Sequence, residues 1–404
     1  RYMVKFMHCA FVAMEPQTGA VKAWVGDIDF DTWKYDKVTA DRQPGSTFKL
    51  FVYTEAMNQG LTPCDKRRDE YIRMEVYDKV KHENTFWTPS NANGRFSGDS
   101  IPLKSAFAKS INSIAVRLGQ EMGIKNIINT AHQMGITNEL EDAPSLTLGS
   151  SDVKLLDMVD AYCCVANNGK HVTPVLVTRI VDKDGKEVYK STADEEQAIP
   201  YKSAFFMQQL LIGGMREPGG TSQSLWAYTD TARDTDFGGK TGTTNNHSDA
   251  WFMCVSPKLV CGAWVGGEYR CIHFRTGALG QGSRTALPVC GYFVQSVMGD
   301  PAFKEYHAKF DKPHDADISY GMYNCASYTP ARRDTATIDS TQVVGDMEDV
   351  VELDENGNEI VREPSSATHP AGHNAAAATE QKPQTEAAPK HQKPKNQQMS
   401  LDDF

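Results

Sequence analysis

The sequence predicts an α+β fold, with an antiparallel sheet built from both ends of the chain, flanked by helices, and an all-helical subdomain between. Three observations carry that expectation. Strand-like apolar runs bracket a turn within residues 9–26. Similar runs recur between residues 240 and 265. Much of the chain between them places apolar residues at helical spacing. With 404 residues, 40% of them hydrophobic, the chain can bury one sizeable core.

In chain order, Cys9–Met14 and Ala20–Val25 flank Pro16-Gln17-Thr18-Gly19 and read as a β-hairpin. Residues 27–45 are polar. Phe48, Phe51, Val52 and Ala56 then mark one helical face, with Glu55, Asn58 and Gln59 off it and Gly60 as the stop. Residues 61–100 read as irregular and include Phe86-Trp87-Thr88-Pro89, whose aromatics either line a cleft or cover a core edge. Helices are expected from Leu103 to Ser110 and on through Leu118, over Ile127–Met134 and over Leu155–Ala166. Asp184-Gly185 marks a hairpin between residues 178 and 189, and residues 201–215 form a further helix. Three strands follow, at Lys240–Thr244, Ala250–Val255 and Leu259–Val265, and then a closing helix at 286–298. This sets a main domain at 1–300 and an extension at 301–340. The tail at 341–404 shifts to acidic and then Ala/Pro/Gln/Lys-rich sequence that predicts disorder.

A net charge of −10 argues against non-specific nucleic-acid binding. No run approaches the roughly 18 apolar residues of a membrane helix. The chain opens directly into strand-like sequence, so a preceding segment is expected to be missing, and with it any membrane anchor. Nine cysteines contain no C-x-x-C pair, which favours buried thiols over zinc or thioredoxin chemistry. No His/Asp/Glu cluster has metal-ligand spacing, and no metal or cofactor is expected.

Chemistry concentrates at Gln43-Pro44-Gly45-Ser46-Thr47-Phe48-Lys49. Pro44 and Gly45 end the preceding segment, so Ser46 falls in the first helical turn with Lys49 one turn later on the same side. A hydroxyl becomes a useful nucleophile when a neighbouring base takes its proton. A lysine can do so when burial or a second cation lowers its pKa. The backbone N–H of Ser46, at a helix N-terminus, can help hold an oxyanion. Ser-x-x-Lys alone is a weak signal, with about one or two chance matches expected in a chain of this length. Ser151-Asp152-Val153-Lys154 is a second match and is read as a decoy. The first match gains weight from company in the right order, Ser110-Ile111-Asn112 and then Lys240-Thr241-Gly242-Thr243. Alone, Ser110 would be a helix cap, Asn112 a local hydrogen-bonder and Lys240-Thr241-Gly242 a turn; Arg275-Thr276-Gly277 shows how cheaply such a tripeptide arises. Gly277–Gly282 resembles a phosphate loop without its strand–loop–helix context, and His247 reads as a solvated loop residue.

With Trp87-Thr88-Pro89, Leu148-Gly149-Ser150-Ser151 and Asp249-Ala250-Trp251-Phe252 added, the chain resembles the transpeptidase domain of class A, bifunctional penicillin-binding proteins over roughly residues 9–300. The resemblance implies the fold shared by penicillin-binding proteins and serine β-lactamases, and an upstream glycosyltransferase in the full-length protein. It also implies a location in the bacterial cell envelope, at the outer face of the cytoplasmic membrane. Its implied substrates are peptidoglycan stem peptides, a D-Ala-D-Ala donor and an amine acceptor, with β-lactams as inhibitors. By resemblance, Ser46 is the nucleophile, Lys49 its base, Ser110 the proton relay and Asn112 a hydrogen-bond partner of substrate and Lys49. Lys240 keeps the field positive. Thr241 and Thr243 hold the terminal carboxylate, the N–H of Thr243 completes the oxyanion hole, and Gly242, Thr244 and Trp87 complete the binding surface. Two rivals stand beside this reading: a serine β-lactamase, whose class A deacylation base would be a Glu in a Glu-x-x-x-Asn motif that is not found between Ser110 and Lys240, and a non-catalytic β-lactam-sensing receptor.

Overall fold

A computed structural model describes residues 5–78, 81–192, 194–230 and 232–329. The expected disordered tail and residues 330–340 of the expected extension lie outside these. In chain order, β1 (Met7–Met14) and β2 (Val21–Val25) precede helix α1 (Lys49–Asn58). Short strands β3 (Lys66–Arg68), β4 (Met74–Asp78), β5 (Glu83–Trp87) and β6 (Ser100–Pro102) follow. Then come helices α2 (Leu103–Ala108), α3 (Asn112–Met122), α4 (Ile124–Gln133) and α5 (Leu155–Ala166). Strands β7 (Lys170–Val172), β8 (Arg179–Val181), β9 (Glu187–Lys190) and β10 (Glu195–Gln197) lead to α6 (Tyr201–Arg216) and the single turn α7 (Trp226–Thr229). Strands β11 (Gly238–Thr243), β12 (Asp249–Val255) and β13 (Val260–Gly267) precede the short α8 (Gly277–Gly280) and the closing α9 (Ala286–Gly299).

Both ends of this region contribute to one antiparallel five-stranded sheet, in the order β11-β12-β13-β1-β2. Strand alternation explains how two cores share it. Ala10, Val12, Met14, Trp251, Met253 and Trp264 face the larger cluster, which holds Phe48, Phe51, Val159 and Phe206. Phe11, Ala13, Phe252, Cys254, Cys261 and Ala263 face the other way, onto Leu287, Cys290 and Val294 of α9. Every residue of β12 is buried, because helices cover both faces of that strand. Full burial of a phenylalanine such as Phe48 contributes about 1.5–3 kcal/mol.

The sequence reading needs three corrections here. Residues 61–100 are not wholly irregular; they fold back into the pairs β3–β6 and β4–β5. The inserted segment is therefore not all-helical: β7 and β10 also pair within it, beside the hairpin expected at Asp184-Gly185, which forms as β8–β9. Helix α1 is buried all round, Glu55 included. That carboxylate accepts hydrogen bonds from Thr130 Oγ1 at 2.7 Å and Gln59 Nε2 at 2.7 Å, so a charge on the expected solvent face is instead satisfied inside.

All nine cysteines are free thiols, five of them buried. Among the described residues no helix is long and apolar enough to cross a membrane. Residues after α9 run back across the molecule. Tyr306 donates to Glu15 Oε1 at 2.7 Å, and Tyr328 O accepts from Lys109 Nζ at 2.5 Å.

Candidate active site

The site forms where the 3-10 turn Gly45–Phe48, the α2–α3 corner and strand β11 meet. The turn is locked from within and from below. Thr47 Oγ1 donates to Pro44 O at 2.7 Å, and the buried Tyr162 hydroxyl donates to Thr47 O at 3.0 Å. Two glycines let the flanking backbone approach. A Cβ at Gly242 would collide with Pro44 O, and one at Gly149 would collide with Gly45 O. Gly242, expected to touch substrate, is thus a packing position between β11 and the Ser46 turn. Gly149 gives the Leu148-Gly149-Ser150-Ser151 element the structural role expected of it.

Ser46 opens into a cleft of about 410 Å³. Beneath it lie two buried lysines, Lys49 at 0% and Lys240 at 1% exposure. Lys49 Nζ donates to Ser110 O at 2.8 Å and Asn112 Oδ1 at 2.6 Å, and lies 3.2 Å from Ser110 Oγ. Lys240 Nζ reaches the same hydroxyl at 3.0 Å and donates to Thr241 O at 2.8 Å. Burial, with the Lys240 charge second, holds the Lys49 ammonium well below its usual range. Burial lowers Lys240 to about 7. Ser110 can bridge both amines because its backbone takes the left-handed conformation, φ 57°, at the corner between α2 and α3. Such a non-glycine conformation costs about 1–3 kcal/mol and persists where surrounding contacts impose it.

Thr241, Thr243 and Thr244 line the cleft as expected, with Ser46, Ser110 and Asn112. Trp87 does not line it; it ends β5 opposite Met74, and Ser90 and Asn91 just beyond it form the wall. His247, read as a solvated loop residue, also lines the cleft, with a left-handed φ of 59°. Sequence reasoning missed Lys109, Thr221, Gln281, Gly282 and Ser283. Thr221 accepts from Thr241 Oγ1 at 2.8 Å, and Gly282 N donates to Thr243 Oγ1 at 3.1 Å. The glycine-rich run at 277–282 thus ends as a cleft wall. Among the described residues, those lining the cleft include no carboxylate. No group of three or more His/Cys/Asp/Glu among the described residues could hold a metal ion.

The penicillin binding protein transpeptidase domain model matches residues 9–258. The chain belongs to this family. Penicillin-binding protein 2D of Bacillus subtilis is 34% identical over 258 residues, 63% of this chain and 36% of that protein. Penicillin-binding protein 1A of Rickettsia felis is 33% identical over 315 residues, 72% of this chain and 38% of the relative. The chain therefore spans little more than a third of these relatives. Among solved structures, penicillin-binding protein 1A of Haemophilus influenzae superposes with a TM-score of 0.65 at 24% identity, covering 73% of this chain and 48% of that one. PonA1 of Mycobacterium tuberculosis superposes at 0.62 with 22% identity, covering 82% and 85%. At these identities the structural likeness shows the fold, the α+β transpeptidase architecture.

Proposed function

We propose that this penicillin-binding transpeptidase domain crosslinks peptidoglycan stem peptides through an acyl-enzyme on Ser46. The observation that carries the reading is one hydroxyl, Ser110 Oγ, shared by two buried lysines beneath an open serine. Ser46 Oγ attacks the carbonyl of the penultimate D-alanine, and its proton passes to neutral Lys49. The tetrahedral oxyanion is met by the backbone N–H groups of Ser46 and Thr243. As it collapses, the C–N bond breaks, and Ser110 relays a proton to the departing D-alanine amine. Lys240, Thr241 and Thr243 hold the donor's terminal carboxylate, where hydrogen bonds to a charged partner are strongest. An amine of a second stem peptide then attacks the acyl-enzyme, forms the crosslink and returns Ser46 to its hydroxyl.

A β-lactam enters the same route, but its leaving group stays tethered. Hydrolysis then needs a positioned base for water, and the cleft lining supplies no carboxylate. This argues against the β-lactamase reading. The substrate places the domain in the bacterial cell envelope, at the outer face of the cytoplasmic membrane.

The test is intact-protein mass spectrometry after exposure to penicillin and removal of excess drug. A penicilloyl adduct on Ser46 that persists for many minutes supports the proposal. Rapid return to the unmodified mass would make the protein a β-lactamase. A D-Ala-D-Ala donor with a D-amino acid acceptor then separates the remaining readings: exchange product means transpeptidase, and a stable adduct without exchange means a β-lactam-sensing receptor.

A further inference from the structure

Helix α3 begins at Asn112 without a side-chain cap from Ile111. Its first N–H groups are satisfied instead from a distant loop. Asn91 Oδ1 accepts from Asn112 N at 2.9 Å and from Ser113 N at 3.1 Å. This is N-capping in physical terms, supplied across 21 residues of sequence. The amide of Asn91 is itself held, donating to Asp69 Oδ1 at 2.7 Å and to Arg95 O at 2.9 Å. Asp69 also accepts from Ser113 Oγ at 2.6 Å and Ser97 N at 2.8 Å. Asp69 and Asn91 are buried, and Ser113 is wholly so. Burial pushes the Asp69 carboxyl upward, but the hydrogen bonds from Ser113, Ser97 and Asn91 win and hold it below its usual range.

The chain of bonds ends at the catalytic amines. The Asn112 side chain donates to Ser90 O at 2.8 Å, which leaves its Oδ1 turned to Lys49 Nζ at 2.6 Å. An amide can present oxygen or nitrogen, and the neighbours decide which. With Ser90 O accepting and Asn91 fixing the backbone, Asn112 presents oxygen to Lys49. Asp69 is not itself among the cleft-lining residues and makes no contact with Lys49, so any effect it has on chemistry passes through Asn91, which lines the cleft, and through α3.

We infer that Asp69 and Asn91 form a positioning pair that sets Asn112 and the Ser110 corner for acylation. The inference rests on Ser46 being the acylated residue. It predicts loss in the rate of the covalent step rather than in noncovalent affinity. A displacement of about 1 Å at such a site costs about 100-fold.

The experiment uses the 404-residue chain and a fluorescent penicillin, separating the acylation rate constant from the prior dissociation constant by stopped flow. Burst amplitude gives the active fraction. Asn91→Asp sets a second carboxylate against Asp69, and its acylation constant should fall about 10- to 100-fold with affinity within about threefold. Adding Asp69→Asn restores a carboxylate–amide pair of reversed polarity and should recover most of the loss. If Asn91→Asp does not fold, Asp69→Asn alone, nearly isosteric, is read for the same rate-specific loss. The inference is overturned if the rate constant stays within twofold, if only the active fraction falls, or if the double variant is as slow as Asn91→Asp. Mapping the wild-type adduct separates the two readings. An adduct elsewhere than Ser46 sinks the proposed function, whereas a Ser46 adduct with unchanged variants sinks the positioning pair alone.

Discussion

Ser46-Thr47-Phe48-Lys49 and Ser151-Asp152-Val153-Lys154 carry the same spacing and end in opposite environments. In the first, a 3-10 turn runs into α1, so serine and lysine share a side. Lys49 is sealed from water beside a second ammonium. In the second, Val153 bridges to Arg42 and Lys154 is extended ahead of α5. Ser151 Oγ accepts from Glu141 N at 3.1 Å, while Lys154 Nζ donates to Thr137 Oγ1 at 2.9 Å. The spacing is common to both. Burial, a second cation and a shared hydroxyl are what make a base, and these come from segments far away in sequence.

The largest effect that can break this comparison is at the serines. Ser46→Ala should abolish the penicilloyl adduct seen by intact mass, and Ser151→Ala should leave it at wild-type yield. An adduct surviving in Ser46→Ala would end the distinction. Next come the lysines. Lys49→Arg replaces a titratable amine with a group that stays charged, so acylation should drop by about 10²–10⁴-fold. Lys154→Arg should leave the rate within twofold, as expected of a substitution remote from the reacting groups. Comparable losses in the two variants would mean that Lys49 is not acting as a base.

Much of this was legible because it is local. All five strands of the main sheet were expected within two residues of where they lie, from apolar runs and turn residues. Ser46, Lys49, Ser110, Asn112 and Lys240 were legible through motif order. Glu55 was misplaced because periodicity assumes one wet helix face, and α1 has none. Trp87 was misassigned because an aromatic in a polar stretch does not reveal which way its strand turns. Thr221 gives no local signal at all, and the glycine-rich run at 277–282 stands out in the sequence without showing that Gln281 and Gly282 reach the cleft. Thr221 meets Thr241 and Gly282 meets Thr243 there, and a tertiary wall leaves no periodicity behind.

A smaller effect should follow at Gly242, which packs β11 against the Ser46 turn. In Gly242→Ala the new methyl meets the Pro44 carbonyl, a backbone group that cannot swing away. Overpacking of this kind costs about 1–3 kcal/mol. Acylation should slow by about 10-fold as β11 shifts off the Ser46 turn, with a lowered melting temperature. A slower rate at unchanged melting temperature would instead favour direct contact between Gly242 and substrate.

The mildest change is at Lys240, and its pH dependence separates the two amines. Burial, with the Lys240 charge second, disfavours the Lys49 ammonium, so Lys49 gives up its proton at lower pH than an ordinary lysine would. Acylation therefore rises on the acid side. Lys240 loses its own charge near pH 7, and the grip on an anionic donor weakens above that point. The profile of the second-order acylation constant should be bell-shaped, with both limbs belonging to the coupled pair. Lys240→Arg keeps a cation at every accessible pH, so the alkaline limb should vanish while the acid limb stays and the maximum falls only several-fold. Lys240→Gln removes the charge that helps hold Lys49 down, so the acid limb should move to higher pH. Stability carries the matching sign. A lysine whose folded pKa lies below its unfolded value binds fewer protons when folded between about 7 and about 10.4, so its burial penalty is full below that window and fades across it. The melting temperature of wild type relative to Lys240→Gln should accordingly climb from pH 7 to pH 10. Superimposable pH profiles in wild type and both variants would mean that Lys240 neither tunes Lys49 nor holds the donor, leaving Ser110 and burial as the source of activation.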